Sequence, residues 1–237
     1  MTTPARSRYA GHRFPAEIIS HAIWLYFRFP LGLRMAEEML AARGIIVSHE
    51  AVRQWARKFG QAFANQIRRR LPGAGDKWHL DEVAIAIAGV KHWLRRAVDQ
   101  TGIVLDVLVQ SRRDKRAAKR LLRKLLRKQG RLPRVLITGK LASYPAAKRE
   151  VMPGVEHRRH KGLNNRAENS HQPTRRRERQ MKRFKSAGQA QRFLSAHDPI
   201  NNLFHLRRDH LTAIEHRAAR AKVLVVWAEI AGVAVAA

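Results

Sequence analysis

Trp78-His79-Leu80-Asp81-Glu82 places a carboxylate inside an otherwise apolar segment that reads as a β-strand over Trp78 to Ala88. An unpaired charge in a central strand is costly, so Asp81 needs either a metal ion or one of the chain's many arginines as partner. Outward from this stretch the pattern is a meander. Gly89 stands at a hairpin position, a second strand is expected over Lys91 to Asp99, Thr101-Gly102 turns the chain, and a third strand runs from Ile103 to Gln110.

Downstream the period changes. Asp114 to Gln129 reads as a helix, with Ala117, Ala118, Leu121, Leu122, Leu125 and Leu126 on one face and basic residues on the other. Arg134 to Thr138 is a short buried strand. A helix follows from about Leu141 to Glu150, then a short strand over Val155 to Arg158, and helical sequence from Asn164 onward with Pro173 as an obstacle. A right-handed crossover returns the fourth strand beside the first. This order predicts a mixed α/β, ribonuclease-H-like core.

Upstream, residues 1–14 read as a basic arm. Helices are expected over Ala16 to Phe29, Leu33 to Arg43 and His49 to Ala64, the last capped by Ser48. Two helices joined by a Gly44 turn suggest a helix-turn-helix over residues 15–70, although any three-helix bundle shows the same pattern. Its second helix would present His49, Glu50, Arg53, Gln54 and Arg57 to a major groove, with Val52 and Trp55 packed inward. Residues 71–76 read as a linker, 77–200 as the core, and 201–237 as a C-terminal helical segment.

Composition narrows the function. Lys and Arg number 48 against 18 Asp and Glu, a net charge of +30 in 237 residues. Such a chain attracts polyanions, nucleic acid first among them. There is no cysteine, which removes disulfides and Cys-based zinc sites. His157, His160 and His171 match no closed zinc spacing and read as phosphate contacts or surface residues. No signal peptide opens the chain, and the apolar Val223 to Ala237 is too short for a membrane span. It reads as a packing helix, and a cytoplasmic location is expected.

The chain resembles the insertion-sequence-six group of bacterial transposases over nearly its whole length. The resemblance rests on Trp78-His79-Leu80-Asp81-Glu82, Arg96-Ala97-Val98-Asp99, Ser111-Arg112-Arg113, Val155-Glu156-His157-Arg158, Asn164-Asn165-Arg166-Ala167-Glu168, Arg175-Arg176-Arg177-Glu178-Arg179 and Phe184-Lys185-Ser186, in that order. It implies a retroviral-integrase-like core whose Asp-Asp-Glu triad holds two Mg2+ ions for DNA strand cleavage and transfer. Asp81 corresponds to the first member and Glu168 to the last. The middle aspartate belongs in Ile137-Thr138-Gly139-Lys140, where Gly139 stands instead.

No other acid replaces it convincingly. Asp99 is expected at the wrong end of the sheet, Asp106 two strands away, and Glu82 on the opposite face. Glu150 and Glu156 are expected off the site. The implied partners are double-stranded DNA, both terminal inverted repeats and target, and further copies of the chain. Lys140 and the basic run Arg175, Arg176, Arg177, Arg179, Lys182, Arg183 and Lys185 are expected to grip phosphates. The missing aspartate leaves two readings: a strand-transfer enzyme with impaired catalysis, or a DNA-binding protein of the same ancestry. A basic RNA-binding protein would explain the charge without the ordered motifs.

Overall fold

The computed structural model describes residues 7–71, 73–206 and 211–234. Three helices open the chain: α1 (Ala16–Arg28), α2 (Leu33–Ala41) and α3 (His49–Arg70). Ser48 caps α3 by accepting from the Ala51 amide at 3.3 Å. α3 runs to Arg70, past the expected Ala64, because Phe59, Phe63 and Ile67 continue one buried stripe. Gly60 lets α1 come close: a Cβ there would lie 2.7 Å from the Phe27 ring.

The sheet follows: β1 (Lys77–Ile87), β2 (Val90–Asp99) and β3 (Val104–Gln110), then α4 (Lys115–Gln129), β4 (Val135–Thr138), α5 (Ser143–Val151) and β5 (Glu156–Arg159). The order is β3-β2-β1-β4-β5. β1, β2 and β3 pair antiparallel, whereas β4 pairs parallel to both β1 and β5. This is the ribonuclease-H-like arrangement expected from the element order. The β1–β2 hairpin turns through Ala88 (φ 49°) and Gly89 (φ 79°), the two left-handed residues that a tight hairpin requires.

A 3-10 turn (Gly162–Asn164) leads into α6 (Asn165–Ser170), α7 (Gln172–Gln180), α8 (Ala187–Leu203) and α9 (Ala213–Ala231). Pro173 does not break the helical run; it sits in the first turn of α7, where its missing N–H costs nothing. The boundary expected at residue 200 falls inside α8. α9 extends the expected terminal packing helix toward its N-terminus, and its Trp227, Ile230 and Ala231 are buried. Residues 235–237 of that stretch lie outside the described residues.

Two hydrophobic clusters sandwich the sheet. Trp78, Leu80, Ala97 and Leu136 meet Ala118, Leu121, Leu122 and Leu125 of α4 and Tyr144 of α5. On the other face Ile85, Ile87, Leu94 and Val107 join Phe193, Leu194 and Ile200 of α8 and the apolar faces of α1 and α3. The N-terminal helices therefore share a core with the sheet through α8. The described part of the basic arm is packed down. Residues 1–6 lie outside the described residues, but Tyr9 is buried against Phe59, donates to the Ala231 carbonyl at 2.6 Å, and Arg8 donates to the Ile230 carbonyl.

Candidate nucleic-acid interface and acid site

Alternation along β1 decides which acids face which way. Leu80 and Glu82 point toward α4 and α5, and Asp81 points to the opposite face. Asp81 pairs across the sheet with Arg96 on β2. On its other side, the last parallel pair is Leu80 with Thr138, so Gly139 follows the end of β4 where Asp81 continues β1.

The chain bearing Glu168 comes back to this edge. Asn164 is buried and donates its amide to the Leu80 carbonyl at 3.0 Å, which pins the start of α6 beside Asp81. One turn past Glu168, His171 Nε2 approaches Asp81 Oδ2 to 3.3 Å. Glu168 itself is exposed. His171 is 3% exposed, which corrects the expectation of a surface histidine: α6 turns into α7 at this residue and tucks its ring under the helices. Burial pushes its pKa down, opposed by Asp81, and both ring nitrogens lack hydrogen-bond partners. His157 is half-buried and within 2.9 Å of Thr138 Oγ1, whereas His160 is exposed.

Arg96 belongs to the same face but is not free for Asp81. It is fully buried and reaches Asp198 of α8 at 3.0 and 3.1 Å and Thr174 Oγ1 at 2.6 Å, and it donates to the Ser170 carbonyl. These contacts tie β2 to α6, α7 and α8 and so fix the helix that carries Glu168.

The remaining acids are engaged elsewhere. Glu82 is held by Arg113 at 2.7 Å and lies 3.8 Å from Arg95. Asp99 caps the β2–β3 turn, accepting from the amides of Thr101 and Ile103. Asp106 is buried on the α4 side, between Lys124 and Lys128; it faces away from Asp81, a stronger separation than distance alone. Glu150 pairs with Lys115 and Lys119, and Glu156 with Arg158.

The residues at the Asp81 edge do not fit a two-ion site. Hard divalent cations want several carboxylate oxygens. Among the described residues, no three His, Asp or Glu side chains are grouped to hold a metal. At Gly139 there is space but no donor: an added Cβ would meet nothing within 4 Å, on ordinary backbone.

The basic residues divide. Arg53, Gln54 and Arg57 are exposed on α3, while Val52 and Trp55 are buried as expected. Arg53 is bound to Glu50 at 2.5 and 2.7 Å, Gln54 donates to Glu50, and His49 contacts Glu37 at 3.2 Å. The hydrogen bonds from Arg53 and Gln54 hold the Glu50 carboxyl down to about 2. Lys140, Arg176, Arg179, Lys182, Arg183 and Lys185 are exposed, and Arg175 is half-buried against Glu178. Lys182 (φ 49°) and Arg183 (φ 73°) are consecutive left-handed residues, a strained turn of the kind found at binding segments.

Arg177 departs from the expectation of a phosphate contact. It is 1% exposed, donates to the carbonyls of Phe29 and Leu31 at 2.9 and 2.5 Å, and lies over the Tyr26 and Phe193 rings. Its role is to lock α7 onto the end of α1. Sequence reasoning missed this because four basic residues within one short run look alike until the packing face of α7 is known.

Residues 75–207 match a family model described as a DDE domain. The chain is 29% identical over 164 residues to the transposase for insertion sequence element IS257 in transposon Tn4003 of Staphylococcus aureus, covering 67% of this chain and 73% of the relative. It matches the transposase for insertion sequence-like element IS431mec of Staphylococcus aureus to the same extent. A solved simian T-cell lymphotropic virus intasome in complex with PP2A regulatory subunit B56 gamma aligns with a TM-score of 0.44 at 14% identity, over 84% of this chain and 72% of that one.

Proposed function

The chain belongs to the DDE family of bacterial insertion-sequence transposases, and from that membership we propose that it binds the ends of a mobile DNA element with its strand-cleaving and joining chemistry impaired. The reading is supported by the Leu80–Thr138 pair, after which come Asp81 on one strand and Gly139 beyond the other, and by the Asn164–Leu80 hydrogen bond that holds the start of α6 against β1. In the family, bound Mg2+ would activate the attacking oxygen and stabilise the leaving one. By the family resemblance Asp81 and Glu168 would be the two remaining acidic ligands, and Gly139 offers no third.

DNA binding does not depend on that corner. Arg53, Gln54 and Arg57 on α3 are the base-reading candidates at terminal inverted repeats. Lys140, Arg176, Arg179, Lys182, Arg183 and Lys185, with Arg175, hold donor or target backbone. His49 is partly engaged by Glu37 and would contribute after letting go. Joining two ends in concert requires more than one copy, so the working form is a homo-oligomer acting on DNA in the cytoplasm, at the nucleoid. Among the described residues, no helix is long and apolar enough to cross a membrane.

The test is a Mg2+-dependent strand-transfer assay on this chain and on Gly139→Asp, with end-binding measured in parallel. The reading expects end-binding from both and strand transfer that rises sharply in the variant. Equal strand transfer by the two proteins would defeat it. An alternative, favoured by the same glycine, is that the chain acts only as a DNA-binding protein. Gly139→Asp would then remain inactive while still binding ends.

A further inference from the structure

The solvent side of α4, in Lys115-Arg116-Ala117-Ala118-Lys119-Arg120-Leu121-Leu122-Arg123-Lys124-Leu125-Leu126-Arg127-Lys128-Gln129, carries three rows of cations. One row, Lys115 and Lys119, is neutralised by Glu150 of α5. Another, Lys124 and Lys128, closes on buried Asp106 at 3.0 and 2.9 Å. The row between them is Arg116, Arg120, Arg123 and Arg127. All four are exposed, and among the described residues none has a carboxylate partner, although both flanking rows do.

Steps of four, three and four residues keep these arginines within about 60° of arc on the helix, in a ridge about 16 Å long. One strand of a DNA duplex presents a phosphate about every 3.4 Å along its axis, so the ridge spans about five of them. Like charges at such spacings repel and weaken a helix on its own; a polyanion lying along the row removes that repulsion. The apolar face of α4 is packed on Leu80, Ala97 and Leu136. The ridge therefore lies across the sheet from Asp81, which points the other way.

We propose that this ridge is a second site for duplex DNA, holding the sugar-phosphate backbone without reading sequence, for a duplex other than the one at the Asp81 edge. That the polyanion is DNA rests on the transposase reading; the ridge itself does not. The four guanidinium groups offer forked donors to phosphate oxygens, and no base-reading geometry is required.

The test uses the full chain and two random-sequence 30-base-pair duplexes, one immobilised and one fluorescent. The ridge variant is Arg116→Gln/Arg120→Gln/Arg123→Gln/Arg127→Gln. The charge-matched control is Arg69→Gln/Arg217→Gln/Arg220→Gln/Lys222→Gln, all exposed. The parent chain should recruit the fluorescent duplex to the immobilised one. The ridge variant should bind the immobilised duplex within about threefold of the parent and recruit the second at least about tenfold less well, with the salt slope for the second falling by about 3.

Undiminished recruitment by the ridge variant overturns the proposal. So does an equal loss in the control, which would mean a bulk-charge effect, or an equal loss of both duplexes. A ridge effect on phosphatidylglycerol vesicles without one on DNA would also overturn it. A parent chain that binds one duplex and never a second sinks the ridge alone. A parent chain that binds no duplex sinks the transposase reading with it.

Discussion

Asp81 and Gly139 each follow the last residue of the β1–β4 ladder, Leu80 and Thr138, with Asp81 still on β1 and Gly139 just past the end of β4. The strand that should precede the second carboxylate is present and in register with β1. What is missing is a side chain, and the backbone is free to carry one.

Gly139→Asp is accordingly expected to fold as the parent does. Its Cβ meets no neighbour within 4 Å, so the unfolding free energy should change by no more than about 0.5 kcal/mol. The variant should gain Mg2+ binding, read as a thermal shift that grows with Mg2+ concentration by mass action. A Mg2+ response no larger than the parent's would show that Asp81 and Glu168 do not converge on the new carboxylate.

Arg176 and Arg177 are adjacent in the chain and should behave oppositely. Arg177→Met removes buried hydrogen bonds to two carbonyls and should cost about 2–4 kcal/mol in urea denaturation. Arg176→Gln should leave stability unchanged and weaken DNA binding, with the salt slope reduced by about 0.9. Weaker DNA binding from folded Arg177→Met, at unchanged stability, would reverse this assignment.

The Arg96–Asp198 pair, 1% and 6% exposed at the side chains, should be sensitive to removal of either partner. Asp198→Ala leaves a buried guanidinium unpaired and should cost about 3–5 kcal/mol. The double change Arg96→Met/Asp198→Leu should recover most of it, as measured by denaturant midpoints. Equal loss in the single and double variants would mean that the tie to Thr174 and Ser170, rather than charge pairing, carries the stability.

Acid should destabilise the chain from about pH 6.5 downward. Burial lowers the pKa of His79, His171 and His197 in the folded state. The unfolded chain takes up protons near pH 6.5, while the folded chain resists until lower pH. The unfolded state therefore binds more protons in that window, and stability falls as pH falls. It is fully present above about pH 6.5. His197→Gln should flatten the slope by up to about 1.4 kcal/mol per pH unit. A slope unchanged by that substitution would place the acid sensitivity elsewhere.

Glu50 competes with DNA for Arg53 across one turn of α3. Glu50→Gln should strengthen duplex binding a few-fold at low salt, and Arg53→Ala should weaken it without altering stability. Fluorescence anisotropy would read both, and weaker binding by Glu50→Gln would argue that α3 is turned away from DNA.

The return of β4 beside β1 followed from the right-handed crossover rule; the strands, the helix cap at Ser48 and the antiparallel meander were legible in the chain. Each depends on neighbours a few residues apart: alternation, a capping side chain, a left-handed glycine. Asp81 stood out as a carboxylate within an apolar strand, whereas Glu168 and Gly139 gained meaning only through the family resemblance. Boundaries were less legible; α3 continues to Arg70 because Phe63 and Ile67 extend its buried stripe past the expected end.

Local pattern marked the strands of the sheet and an acid, Asp81, within the first of them. The partners came from packing between segments distant in the chain. Only that packing buried Arg177 and left Arg176 in solvent, placed His171 against Asp81, and turned Asp106 toward α4. A side chain's own identity sets what it can bond to, but burial depends on which helix lies across it, and that is decided by the whole core at once.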